Sequence, residues 1–140
     1  MSERKLDWDI HYVSNNMACS ECGKVEKVFP DYICDAHTDG MSKYGHPEFQ
    51  LVLDYGPQEV CRLLNTMGLR VKNGERFQSG DLVSGLYLDC SVQLREITDC
   101  DGNPILRLII PDRQNRLPEQ SEVPFTYQML ATALLYTGDE

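Results

Sequence analysis

Two consecutive segments decide the fold: Glu48-Phe-Gln-Leu-Val-Leu-Asp54, then Pro57-Gln-Glu-Val-Cys-Arg-Leu-Leu-Asn-Thr-Met-Gly-Leu-Arg-Val-Lys-Asn73. In the first, Phe49, Leu51 and Leu53 alternate with Gln50, Val52 and Asp54, the period-two pattern of a strand. Val52 on the second face points to partial burial on both sides. In the second, Val60, Leu63, Leu64, Met67 and Val71 fall on one stripe of a 3.6-residue period. Pro57 suits the first helical position, where a missing N–H costs nothing. Gly74 suits the position just past the helix end. Gly68 inside the helix costs roughly 1 kcal/mol against alanine, unless close packing uses the space it leaves. Cys61 lies beside the stripe and reads as a small core residue.

Outward from this pair, Tyr32-Ile-Cys-Asp-Ala-His37 reads as a strand ending at the turn Thr38-Asp-Gly40. Met41–Gly45 reads as a helical turn or loop. Upstream, Asp9–Ser14 alternates weakly as a strand, with Trp8 as an anchor. Asn15–Pro30 is rich in turn residues, with a short strand at Val25 and Val28-Phe29. Downstream, Glu75–Gly85 is a polar loop, followed by a short strand at Leu86–Leu88. Cys90–Thr98 and Pro104–Ile110 flank Asp99-Cys-Asp-Gly-Asn103 and predict a β-hairpin. The second of these reads as a central strand. Pro111–Glu122 is irregular, and a final helix begins near Pro124 and ends before Gly138, with Tyr127, Leu130, Ala131 and Leu134 on its apolar face. The expected fold is α+β: a mixed or mainly antiparallel sheet, one long amphipathic helix packed on a face, and a C-terminal helix.

A chain of 140 residues fits one domain, residues 1–140, with a cysteine-rich knuckle over residues 17–37 at its edge. Thirteen basic against 22 acidic residues leave a formal charge of −9. That charge repels phosphate backbones, so no nucleic-acid partner is expected. It suits solubility, a basic protein partner or a cationic ligand. The charged start (Met-Ser-Glu-Arg-Lys-Leu-Asp-Trp8) has no apolar core of a secretory signal. The longest apolar run, near Met129–Tyr136, is too short to span a membrane. Six cysteines in such a context point to a reducing, cytoplasmic location and to thiols or metal rather than disulfides. Strand edges allow a homodimer.

Chemistry concentrates in two stretches that nearly touch. Cys19-Ser-Glu-Cys22 and Cys34-Asp-Ala-His37 form two short-spaced pairs, and Cys19, Cys22, Cys34 and His37 make a tetrahedral zinc set. Against this, Cys34 and His37 have opposite parity on a regular strand. A purely structural cysteine set and a redox role are the other readings. The second stretch, His37 to Glu48, holds His37, Asp39, His46 and Glu48 within twelve residues. Two imidazoles and carboxylates can bind a ligand, hold a catalytic metal, or serve as a general base. They can equally cap turns within the fold. Arg107, Arg113 and Arg116 can bind an anion or pair with local acids. No nucleophile elbow, P-loop, His-Glu-x-x-His helix or dinucleotide-binding glycine motif is present.

His37-Thr-Asp-Gly40, Lys43-Tyr-Gly-His-Pro-Glu-Phe49, Leu64-Asn65, Gly74-Glu-Arg-Phe77 and Gly80-Asp81 resemble a bacterial domain family of unknown function, number forty-two sixty-two. The resemblance runs from about Tyr32 to about Pro118. It implies a small soluble bacterial α+β protein in which His37, Gly45, His46, Pro47 and Glu48 recur as a unit. It implies no activity. The function expected is a non-enzymatic binding module, of immunity type or sequestering a ligand, with zinc as a stabilising cofactor. The alternative is a metal-dependent, hydrolase-like enzyme using His37, Asp39, His46 and Glu48.

Overall fold

Strands β1 (Asp9–Ser14), β2 (Ile33–Asp39), β3 (Glu48–Leu53), β4 (Leu82–Val83), β5 (Val92–Thr98) and β6 (Pro104–Ile109) form one mixed sheet. Their spatial order is β1-β2-β3-β6-β5-β4. The computed structural model describes residues 8–14, 29, 32–87, 91–98, 102–112, 114–123, 125–130 and 132. All neighbouring pairs are antiparallel except β3 and β6, which run parallel. The long α-helix, α1 (Pro57–Lys72), packs against β1, β2 and β3. This is the expected α+β architecture, and β6 is an interior strand.

The periodicities account for the layers. Phe49, Leu51 and Leu53 of β3 and Leu106 and Leu108 of β6 share an apolar core with Val60, Leu63, Leu64, Met67 and Val71 of α1. Every member of the helix stripe is buried. Val52 is buried too, so β3 is covered on both faces, as a strand enclosed between layers should be. Fully burying each large aliphatic side chain stabilises by about 1.5–3 kcal/mol before chain entropy opposes it.

Trp8 ties β1 to the helix. Its indole Nε1 donates to Asn65 Oδ1 at 2.9 Å, and its ring lies over Gly68. A β-carbon on residue 68 would meet Trp8 Cζ2 at 2.5 Å and Cε2 at 2.7 Å. The glycine inside α1 is therefore a close-approach site. Further along β1, Tyr12 Oη donates to Asp54 Oδ1 at 2.6 Å, pinning that strand to the end of β3.

The opposite face is covered by the chain after β6. Asp112 organises it by accepting from the N–H groups of Gln114 and Arg116, from Arg116 Nε and from Ser121 Oγ. These bonds, that of Ser121 foremost, hold the Asp112 carboxyl down at about 2. Short 3₁₀ turns follow at Pro118–Gln120 and Phe125–Met129.

Two expectations need correction. Over residues 125–130 the expected C-terminal helix is the 3₁₀ turn Phe125–Met129, with Arg107 of the sheet binding the carbonyls of Gln128 and Leu130; Thr132 is helical, and residues 124, 131 and 133–138 of that expectation lie outside the described residues. A short strand lies at Leu82–Val83, inside the stretch expected to be a polar loop, and pairs with Val92 and Gln93 of β5; Leu86 and Tyr87 are in no strand, and Leu88 lies outside the described residues. The strand proposed around Val25 and Val28 lies outside the described residues, although Phe29 is buried in the core.

Gly68→Ala tests the packing. The alanine gains roughly 1 kcal/mol of helix propensity, while overpacking against a fixed ring costs about 1–3 kcal/mol. The expected outcome is a lower urea midpoint with a shifted emission of Trp8, the sole tryptophan of the chain.

Candidate functional site

The His46–Glu48 element folds inward. The 3₁₀ turn Met41–Tyr44 closes at Gly45, which adopts the left-handed conformation (φ 71°) that glycine takes without penalty. This turn brings His46 back under the chain. The ring donates from Nδ1 to the Pro47 carbonyl at 2.8 Å and accepts at Nε2 from the Phe77 N–H at 3.1 Å. Those roles describe the neutral tautomer with its proton on Nδ1. His46 is 5% exposed, and its ring packs against Phe49 and Phe77. Arg76 completes the joint by donating to the Tyr44 carbonyl at 3.0 Å. The two most distinctive pieces of the sequence, Tyr-Gly-His-Pro-Glu48 and Gly-Glu-Arg-Phe77, thus dock on each other.

Glu48 is equally engaged. Its carboxylate accepts from Thr38 Oγ1 at 2.7 Å, the Gly40 N–H at 3.1 Å and the Met41 N–H at 3.1 Å. Thr38 Oγ1 in turn accepts the Phe49 N–H at 2.9 Å. The carboxylate anchors the connection between β2 and β3.

His37 and Asp39 stand elsewhere, on the sheet face turned away from α1. Strand register places His11 opposite His37, and Asp9 opposite Asp39. The two imidazoles stack with centroids 5.2 Å apart. His11 Nε2 lies 3.2 Å from Asp39 Oδ2, and His37 Nδ1 lies 3.4 Å from Asp35 Oδ1. The His11 and Asp39 side chains are 52% and 66% exposed, while Asp35 is buried. His11 and Asp35 were not among the expected site residues. They join the site only through the pairing of β1 with β2.

The same register continues inward. His37 is opposite Gln50, Gln50 opposite Arg107, and Arg107 opposite Arg95. One polar row therefore crosses five strands. Arg107 is fully buried. Its Nε donates to Gln50 Oε1 at 2.7 Å, Nη1 to the carbonyls of Gln128 and Leu130 at 2.7 and 2.6 Å, and Nη2 to Thr132 Oγ1 at 3.3 Å. Gln50 Nε2 passes the link on to Asp35 Oδ1 at 3.1 Å. Burial lowers the Arg107 guanidinium to about 10, and the Asp35 charge opposes that shift. Of the other arginines expected to bind an anion, Arg116 is paired with Asp112, and Arg113 lies outside the described residues.

Cys19 and Cys22 of the expected zinc set also lie outside the described residues. Cys34 sits in the apolar core with its thiol directed to the Leu51 carbonyl at 3.7 Å. Burial, with the charges of Asp54 and Asp35 added, pushes that thiol well above its ordinary range. His37 is engaged with Asp35 and His11 instead, so Cys34 and His37 occupy different surroundings. A register shift in the β2–β3 pairing falls between Ile33 and Ala36. Among the described residues, no three His, Cys, Asp or Glu side chains form a ready-made metal cage, and no helix is long and apolar enough to cross a membrane.

Family models, curated proteins and solved structures were all compared with the chain, and none matches it.

Two substitutions test these assignments by stability. Glu48→Ala strands buried donors and should cost about 1–3 kcal/mol; Glu48→Gln, which keeps one acceptor oxygen, should cost less in the same urea titration. Arg107→Met leaves the Gln128 and Leu130 carbonyls without their donor. It should cost at least about 3 kcal/mol and make residues 118–132 more sensitive to limited proteolysis.

Proposed function

We propose that this protein is a non-enzymatic binding module and that its recognition surface is the β1–β2 face bearing His11, His37, Asp39 and Asp9. The observation that carries this reading is the division of labour among the candidate residues. His46 and Glu48, the pair best suited to acid–base chemistry, spend their polar atoms on the chain's own turn. His11 and Asp39 instead lie at the surface.

The ligand class is cationic. Asp9 and Asp39 face each other directly across β1 and β2 and are both exposed. Like charges in that position are destabilising by themselves, and a bound cation offsets the repulsion. The net charge of −9 draws such a ligand in. The resemblance to the bacterial family of unknown function fits this reading, because its most specific motifs coincide with the His46–Phe77 joint, a feature of the fold and not of a reaction centre.

A titration with a lysine-rich peptide, followed through the imidazole resonances of His11 and His37 by NMR, tests the proposal. Shifts at both rings that fade with added salt and disappear in Asp9→Asn/Asp39→Asn are expected. Turnover of any substrate that depends on His37 or Asp39 would overturn the non-enzymatic reading.

A further inference from the structure

The same face carries a more specific chemistry. We infer that His11, His37 and Asp39 form a binding site for a divalent transition-metal ion of the zinc type, with Asp35 holding His37 in place. This rests on the cationic-ligand reading above and names the cation.

The first argument is register. Directly opposed residues on antiparallel strands hold their β-carbons about 4.5–5.5 Å apart. His11 and His37 are such a pair, and their rings already stack at 5.2 Å. Two imidazoles so placed lie close enough for one ion to reach both. Imidazole and carboxylate together suit zinc and its neighbours better than calcium or magnesium.

The second argument is distance. Ligand atoms about 2.0–2.1 Å from a tetrahedral zinc lie roughly 3.3 Å from one another. His11 Nε2 and Asp39 Oδ2 are 3.2 Å apart. The third ligand is His37 Nε2, on the ring that stacks against His11 while its Nδ1 faces Asp35. His11 and Asp39 are mostly exposed, so their own adjustment costs little beyond side-chain entropy. Three protein ligands leave a position for water or for a further carboxylate, and Asp9 is opposite Asp39.

The third argument is what stands behind His37. A metal-bound histidine commonly donates its other ring N–H to a carboxylate, which sets the tautomer and orients the ring. Asp35 Oδ1 lies 3.4 Å from His37 Nδ1. Asp35 is itself 4% exposed and takes a hydrogen bond from Gln50, which Arg107 holds. A carboxylate fixed that firmly behind a half-exposed imidazole is more than a surface ion pair needs. Asp35 is a positioning residue in this site.

The experiment is calorimetric titration of chelator-treated protein with zinc chloride, in a Cys19→Ser/Cys22→Ser background that removes the cysteine pair. One zinc per chain is expected. His11→Ala and His37→Ala should each weaken binding at least tenfold. Asp35→Asn, which keeps the side-chain shape, should weaken it about 10–100-fold and change the His37 tautomer seen in nitrogen-detected NMR. His11→Asn serves as a second exposed-site variant should an alanine perturb the strand. Zinc binding that is indifferent to both histidines overturns the proposal. If zinc fails to bind while the lysine-rich peptide still shifts the two imidazoles, the metal assignment falls and the cationic-surface reading stands. If neither ligand perturbs them, both fall.

Discussion

The buried guanidinium of Arg107 is the constraint on which the second face of the sheet depends. A charge taken out of water costs several kcal/mol unless hydrogen bonds replace its hydration. Among the described residues no carboxylate pairs with it directly. Two backbone carbonyls, an amide oxygen and a hydroxyl replace the water, and Asp35 supplies the counter-charge one residue removed, through Gln50. The arrangement requires residues 128–132 to lie over β6 and β3. It therefore explains why the described residues from 110 to 130, which hold two short 3₁₀ turns, still take a defined course. Gln128 reinforces that course by bonding to both the N–H and the carbonyl of Ile110.

The two faces of the sheet are held by different physics. The α1 face is an apolar core closed by non-directional burial, with Trp8 seated on Gly68 as its tightest contact. The other face is directional. Ile105 and Ile109 are buried there beside Arg107, but the polar row sets the geometry. Apolar packing tolerates adjustment of shape at modest cost, whereas a buried polar network must be satisfied at every atom. Changes on the first face should act mainly on stability, and changes on the second should also act on the position of the side chains at its outer end.

The fold was largely legible in the sequence, because the signals were long and consistent. The β3 alternation, the α1 stripe and the Asp-Gly turn between β5 and β6 each carry an unambiguous period or turn residue, and each element lies within a residue or two of its expectation. Over residues 125–130 the helical stripe of the sequence gives a 3₁₀ turn instead, because Arg107 of the sheet binds the carbonyls of Gln128 and Leu130. On the face proposed above, His37 and Asp39 stand out in the sequence by residue type, whereas His11, Asp35 and Gln50 have no local signal. Their meeting depends on which strands are neighbours and in what register, and neither follows from periodicity. His46 and Glu48 attracted attention for the right residue types, but a turn that needs two acceptors and a donor uses the same types as a catalytic site.

The polar row joins a buried end to an exposed end, and that continuity matters more than either part. At the inner end Arg107, Gln50, Thr132 and Asp35 are all buried and mutually bonded, so their rotamers are fixed by partners on three sides. At the outer end His11 and Asp39 are exposed and joined by a contact that water can replace. At the boundary Asp35 faces the half-exposed imidazole of His37. A rigid inner shell with an adaptable outer pair is the arrangement a binding site needs, since precision comes from supporting groups that do not move and entry from groups that do. Five adjacent strands carry the row from His11 to Arg95, and Thr132, from the segment after β6, completes its buried end.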